Sequence, residues 1–145
     1  MDPLNETLPL PMITVLTREF WESAKKRKLV FQHCSKCKTL QAYPKPWCSE
    51  CGSEELSWKE VSGEGTVYSY TIPRQVVDNS PAFKERLPFV VAIVQLKEGP
   101  RLISNIIGLP PEEVRIGMKV KVAFEDVSPE IALPKFRPLH PDTKE

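Results

Sequence analysis

From Ser57 onward the chain reads in periods of two. Lys119 to Asp126 alternates, with Val120, Val122 and Phe124 on one side and Lys119, Lys121 and Glu125 on the other, as in a strand with one face in a core and one in water. Phe89 to Leu96 is apolar on both faces and predicts a central, covered strand. Val67 to Ile72, rich in β-branched and aromatic residues after the Gly63/Gly65 turn, and Leu102 to Ile107 predict two more. Ile131 to Phe136, interrupted by Pro134, predicts an edge strand. Between them, Val77 to Leu87 reads as a loop with one helical turn around Ala82 to Arg86, and Pro110 to Val114 as another single turn. Five strands and few helices predict a small closed or partly open barrel such as an OB-fold; periodicity alone does not separate it from other five-stranded barrels.

The N-terminal part has another texture. Pro3, Pro9 and Pro11 predict an extended arm over residues 1–16, with Leu8, Leu10, Ile13 and Leu16 available to lie on a surface or a partner. Thr17 is a fair N-cap, Glu19 suits the first turn, and Arg18 to Lys28 predicts a short helix with Phe20, Trp21 and Ala24 as its apolar stripe. Adjacent Phe20 and Trp21 cannot both point into one core, so one of them is expected to face a cleft or a partner. The basic run Lys25 to Lys28 reads most simply as a solvated helix end favoured by the helix dipole; the sharper reading is a phosphate contact.

Charge narrows the classes of function. Among 145 residues, 20 basic and 19 acidic side chains leave a net charge of +1, too little to draw in nucleic acid or an anionic membrane over long range. No run of 18 apolar residues exists, and the start of the chain, with Asp2 and Glu6, lacks the form of a secretion signal, so a cytoplasmic setting is expected. There, paired cysteines point to metal rather than to disulfides.

Cys34-x-x-Cys37 and Cys48-x-x-Cys51 are separated by ten residues. Each pair forms a tight turn aiming two sulfurs at one centre, and the spacer suffices for a hairpin that opposes the turns. Four thiolates then close a tetrahedral site with no position left for substrate, which favours one structural Zn²⁺; iron held as in rubredoxin uses the same geometry. Gly52 follows the second pair, where φ > 0 closes the turn, whereas Lys38 stands at the equivalent place, so that turn is expected to be strained or slightly different. A ribbon this small buries too little surface to fold alone, and structural zinc supplies on the order of 10 kcal/mol. Tyr43, Trp47 and Trp58 are expected to pack the ribbon against its neighbours.

Phe20-Trp21, Leu29, the first cysteine pair, Tyr43-Pro44-Lys45 and Cys48-x-x-Cys51-Gly52, followed by Ser62 to Thr71, Pro88 to Val94, Ile116 to Val120 and Pro134 to Pro138, together resemble the DUF35 family over about residues 14–138. Lys38 and Lys45 depart from the family's usual glycine and its usual proline or arginine. The resemblance implies a mainly β chain: an arm and helix (1–30), a rubredoxin-like zinc ribbon (31–56), a five-stranded OB-fold barrel (57–138) and a tail (139–145). It also implies an accessory role beside a thiolase-like subunit, with acyl-CoA or CoA as ligand. CoA asks for cations and an apolar cleft. Arg18, Lys25, Lys26, Arg27 and Arg74 are the candidate cations, with Phe20, Trp21 and Phe83 for the cleft. A free-standing enzyme is disfavoured: every cysteine is committed to metal, and His33 and His140 form no evident dyad. The alternative is a single-stranded nucleic-acid module using Tyr68 and Tyr70 on one strand face.

Overall fold

The computed structural model describes residues 10–75 and 86–139. It begins with helix α1 (Arg18–Lys25) and continues through strands β1 (Val30–Cys34), β2 (Leu40–Gln41) and β3 (Leu56–Glu60). These three form one antiparallel sheet in the order β2-β1-β3. β4 (Glu64–Thr71), β5 (Val90–Leu96), β6 (Arg101–Ile106), β7 (Lys119–Asp126) and β8 (Ala132–Pro138) close a barrel in the order β4-β5-β6-β8-β7. Among the described residues the chain is therefore mainly β, with one short α-helix, as its periodicities predict.

Alternation explains the barrel core. Val90, Ala92, Val94 and Leu96 point inward from β5, and meet Val67, Val120 and Phe136, all fully or nearly fully buried. Closure runs through β4 and β7, where Glu64, Gly65 and Thr66 pair with Lys121, Val120 and Lys119. At this seam Val122 donates its N–H to the Gly63 carbonyl at 2.8 Å. Gly63 has φ +81°, and a Cβ there would collide with Val122, so glycine is required.

Pro134 does not mark an edge. β8 pairs with β7 along its length, Pro134 standing opposite Phe124, and meets β6 in parallel only where Ile106 faces Phe136. A proline is tolerated because only one continuous ladder runs past it. The strand starting at Leu56 pairs with β1 from Val30↔Glu60 to Cys34↔Leu56, and so completes the ribbon sheet.

Helix α1 is shorter than its sequence pattern and ends at Lys25; Arg27 follows in the left-handed region at φ +65°. Thr17 occupies the N-cap position but its hydroxyl does not cap the helix. Its Oγ1 accepts the Thr14 N–H at 3.0 Å instead, while the Thr14 Oγ1 accepts the Thr17 N–H at 3.2 Å. Phe20 and Ala24 are buried beneath the helix, and Phe20 meets Trp21 edge-on at 4.9 Å. No helix among the described residues is long and apolar enough to cross a membrane.

Candidate metal centre and apolar cleft

The two cysteine turns share one backbone pattern. The Lys38 N–H donates to the Cys34 carbonyl at 2.8 Å, and the Gly52 N–H to the Cys48 carbonyl at 2.9 Å. The Cys34 and Cys48 N–H groups donate in turn to Thr39 and Ser53 carbonyls at 3.0 and 2.8 Å. Lys38 adopts φ +69° beside +78° at Gly52, so the first turn is strained rather than different. A side chain in this region costs on the order of 1 kcal/mol, which closure of the site must outweigh.

All four sulfurs lie within 4.8 Å of one another. Cys34 Sγ stands 3.7 Å from Cys51 Sγ, and Cys37 Sγ 3.5 Å from Cys48 Sγ. Tetrahedral ligands at about 2.3 Å from Zn²⁺ lie about 3.8 Å apart, whereas a disulfide needs about 2.0 Å. The sulfurs therefore fit one shared ion. Cys34 and Cys48 are buried, while Cys37 and Cys51 open to solvent. Electrostatics agree. Thr39, through its hydroxyl and its N–H, holds the Cys37 thiol down to about 6. The Ser53 N–H favours the Cys51 thiolate, but burial and the neighbouring sulfurs outweigh it and push that thiol up to about 11. Four thiolates at this spacing repel one another, and a divalent cation removes the conflict.

Two buried glutamines, neither singled out by the sequence pattern, fix the loop that carries the second turn. Gln41 Nε2 donates to Gln32 Oε1 at 2.7 Å and to the Trp47 carbonyl at 3.2 Å. Gln32 both accepts the Lys45 N–H at 2.9 Å and donates to the Lys45 carbonyl at 3.0 Å. Gln41 Oε1 accepts from the Ser49 N–H and hydroxyl at 2.9 and 3.0 Å. Polar residues at inward strand positions beside a ligand cysteine were the available signal.

A second feature lies between helix, ribbon and barrel. Trp21, Tyr43, Pro44, Ile103 and Leu133 help to wall an apolar cleft of about 380 Å³. The Tyr43 hydroxyl accepts the Ile103 N–H at 2.8 Å, which ties the ribbon loop to β6 across the cleft. Trp58 packs against the core, whereas Trp47 is exposed and joins no such contact. Lys135 is the one cation among the described lining residues, and only 14% of its side chain is exposed. Its ammonium donates to Asn105 Oδ1 and lies 3.8 Å from Glu125, which Arg86 also approaches at 3.6 Å. Burial pushes the Lys135 pKa down, and Glu125 opposes that shift.

Among the described residues, the candidate CoA residues do not all converge on this cleft. Phe20 and Trp21 line it, Trp21 being the half-buried member of the pair. Arg18, Lys25 and Lys26 fall on another helix face, around a shallow depression with Ile13 and Glu130. Lys25 and Arg27 are ion-paired with Asp126 while remaining partly exposed to solvent. Arg27 makes two hydrogen bonds to Asp126 at 2.9 and 2.8 Å, and Lys25 adds a third at 2.9 Å. The Arg27 and then the Lys25 hydrogen bonds hold the Asp126 carboxyl well below the usual carboxylate range. Arg74 is exposed on the segment after β4. Phe83, Leu8, His140, the single turn at residues 82–86 save Arg86, and nearly all of the tail lie outside the described residues. Tyr68 and Tyr70 do not share a face. A bulge between Val67 and Ser69 breaks the alternation, leaving Tyr68 exposed beneath Arg101 at 3.8 Å while Tyr70 packs against the core.

A four-sulfur ribbon joined to a closed five-stranded barrel defines a zinc-ribbon/OB-fold protein. Residues 21–57 match the family described as ChsH2, rubredoxin-like zinc ribbon domain, and residues 58–125 match ChsH2, C-terminal OB-fold domain. The chain is 34% identical over 110 residues to a DUF35 domain-containing scaffold protein of Methanocaldococcus jannaschii, spanning 74% of this chain and 75% of that protein. It belongs to the DUF35 family. It is also 42% identical over 133 residues to a probable enoyl-CoA hydratase alpha subunit of Thermomonospora curvata, covering 92% of this chain but 40% of that protein's length. Among solved structures it resembles a chain of the Ltp2-ChsH2(DUF35) aldolase, with 42% identity and a TM-score of 0.78, over 89% of this chain and 98% of that one.

Proposed function

We propose that this chain is an accessory subunit of an acyl-CoA-processing assembly, built around one structural Zn²⁺ and docked on a thiolase-like subunit that supplies the catalytic groups. The observation that carries this reading is the likeness to the aldolase's DUF35 chain over nearly that chain's whole length. The resemblance to part of a probable enoyl-CoA hydratase subunit supports the acyl-CoA side of it. Chemistry favours an accessory role, because all four thiols stand in the metal cluster. Zinc is preferred to iron on the match of residues 21–57 to a rubredoxin-like zinc ribbon. Acyl-CoA is bound with its apolar part in the cleft rather than along the basic run of the helix.

Co-expression with the thiolase-like subunit of the same organism tests the reading. A stable complex carrying about one zinc per copy of this chain, with acyl-CoA turnover only when both subunits are present, is the expected result. Turnover by this chain alone, or no complex at micromolar concentrations, would overturn it.

A further inference from the structure

The cleft holds a charged group that its apolar walls do not explain. Lysine is rarely buried without a full set of partners. Lys135 offers three N–H donors; Asn105 takes one, and Glu125 is shared with Arg86 at ion-pair rather than hydrogen-bond distance. Asn105 is itself fixed, since its Nδ2 donates to the Val90 carbonyl at 2.7 Å. Ser104, the neighbouring polar group of the lining, is occupied by the Pro134 carbonyl at 2.7 Å. Two cations thus share one carboxylate, and Lys135, with donor capacity beyond Asn105, lines the same cleft as Trp21, Tyr43 and Leu133. An apolar cleft whose described lining carries one ammonium complements a ligand that is apolar over most of its length and carries one strong acceptor oxygen. Its volume, near the lower end of the range for small-molecule sites, suits an acyl chain and its thioester rather than a nucleotide.

We propose that Lys135 donates a hydrogen bond to the thioester carbonyl oxygen of an acyl-CoA whose acyl chain occupies this cleft, making it a residue that discriminates acyl thioesters from other apolar ligands. This rests on the acyl-CoA reading given above. No bond is made or broken in this step.

Three ligands test it against the full chain, alone and in complex with its thiolase-like subunit: octanoyl-CoA, S-octyl-CoA, which lacks only the carbonyl oxygen, and free CoA. Calorimetry gives the affinities. Octanoyl-CoA is expected to bind about tenfold more tightly than the thioether, the worth of one charge-assisted hydrogen bond. Lys135→Met, which removes the donor, should reduce that ratio to near unity, and Lys135→Gln, whose neutral amide still donates, should reduce it less, neither weakening free CoA, with melting temperatures confirming that both variants fold. Trp21→Leu, which shortens the apolar wall, should weaken both octyl ligands equally and keep the ratio. Equal affinities in the unaltered chain, or a ratio that survives both Lys135 changes, overturns the inference while leaving the acyl-CoA reading intact. Failure of all three ligands to bind the complex removes that reading and the inference with it. If Lys135→Gln weakens only the association with the subunit, the lysine serves a carboxylate of the partner and the proposal fails.

Discussion

The ribbon and the barrel solve the same folding problem with different materials. In the barrel, Val67, Val94, Val120 and Phe136 are wholly buried, and apolar burial of that kind stabilises a fold without directional constraint. In the ribbon, two of the fully buried side chains are the ligands Cys34 and Cys48, and two of the other buried residues are glutamines. There, stability depends on a metal and on a hydrogen-bond set in which each partner must be present. The difference teaches where each half is fragile. The barrel should lose stability in proportion to the volume removed, the ribbon abruptly when one contact is withdrawn.

The sharpest way to break this symmetry is to remove a sulfur. Cys48→Ser should abolish metal binding and forfeit on the order of 10 kcal/mol within the ribbon. The barrel should keep its amide protection in hydrogen exchange, and a uniform loss of protection would show that the halves fold as one unit. A smaller effect is expected from Phe136→Ala, which empties a site with no solvent exposure. It should cost about 3 to 5 kcal/mol in denaturant unfolding while the metal content stays unchanged. Gln41→Leu sharpens the comparison further. It leaves the Ser49 N–H and the Trp47 carbonyl without their partner, for about 1 to 3 kcal/mol, although the substitution adds apolar surface. A gain in stability would mean that the ribbon core behaves like the barrel's after all.

The smallest effect concerns the clamp that joins helix α1 to the barrel. Asp126 has its folded pKa depressed, so the stability it contributes is present above the unfolded carboxylate pKa of about 3.9 and is lost as pH falls through the lower folded value. Asp126→Asn should therefore lower the melting temperature slightly at neutral pH and flatten its decline in acid. An unchanged acid limb would remove the clamp from the account.

The features legible in the sequence are those whose partners lie close along the chain or repeat with a fixed period. Cys34 to Cys51 span a short segment, and the strands announce themselves by alternation, so both the metal set and the five-stranded barrel can be read directly. What escaped depends on distant pairings. Nothing near Lys25 or Arg27 indicates Asp126, and so a clamped helix end reads as a solvated one. Pro134 signals an edge only until β6 is known to meet the far side of β8 at Phe136. The bulge at Tyr68 shifts one residue out of phase, which a period-two pattern cannot anticipate. Lys135 occupies a strand position indistinguishable in sequence from that of Lys119 or Lys121, and only the tertiary fold gives it a place in the cleft that Trp21 and Tyr43 also line.

Closure of the barrel through β4 and β7 also bears on the order of events during folding. The seam joins the first barrel strand to the fourth, so Glu64 must wait for Lys121 before either gains its neighbour. Loop-closure entropy makes such distant pairings slow, while the cysteine turns and the β1–β2 hairpin need only nearby residues. During synthesis from the N-terminus, the ribbon is therefore complete while β7 is still unmade, and a nascent chain halted after Glu60 should already retain zinc. Pulse-labelling hydrogen exchange on the released protein should find the Val122 amide, at the seam, among the last to become protected.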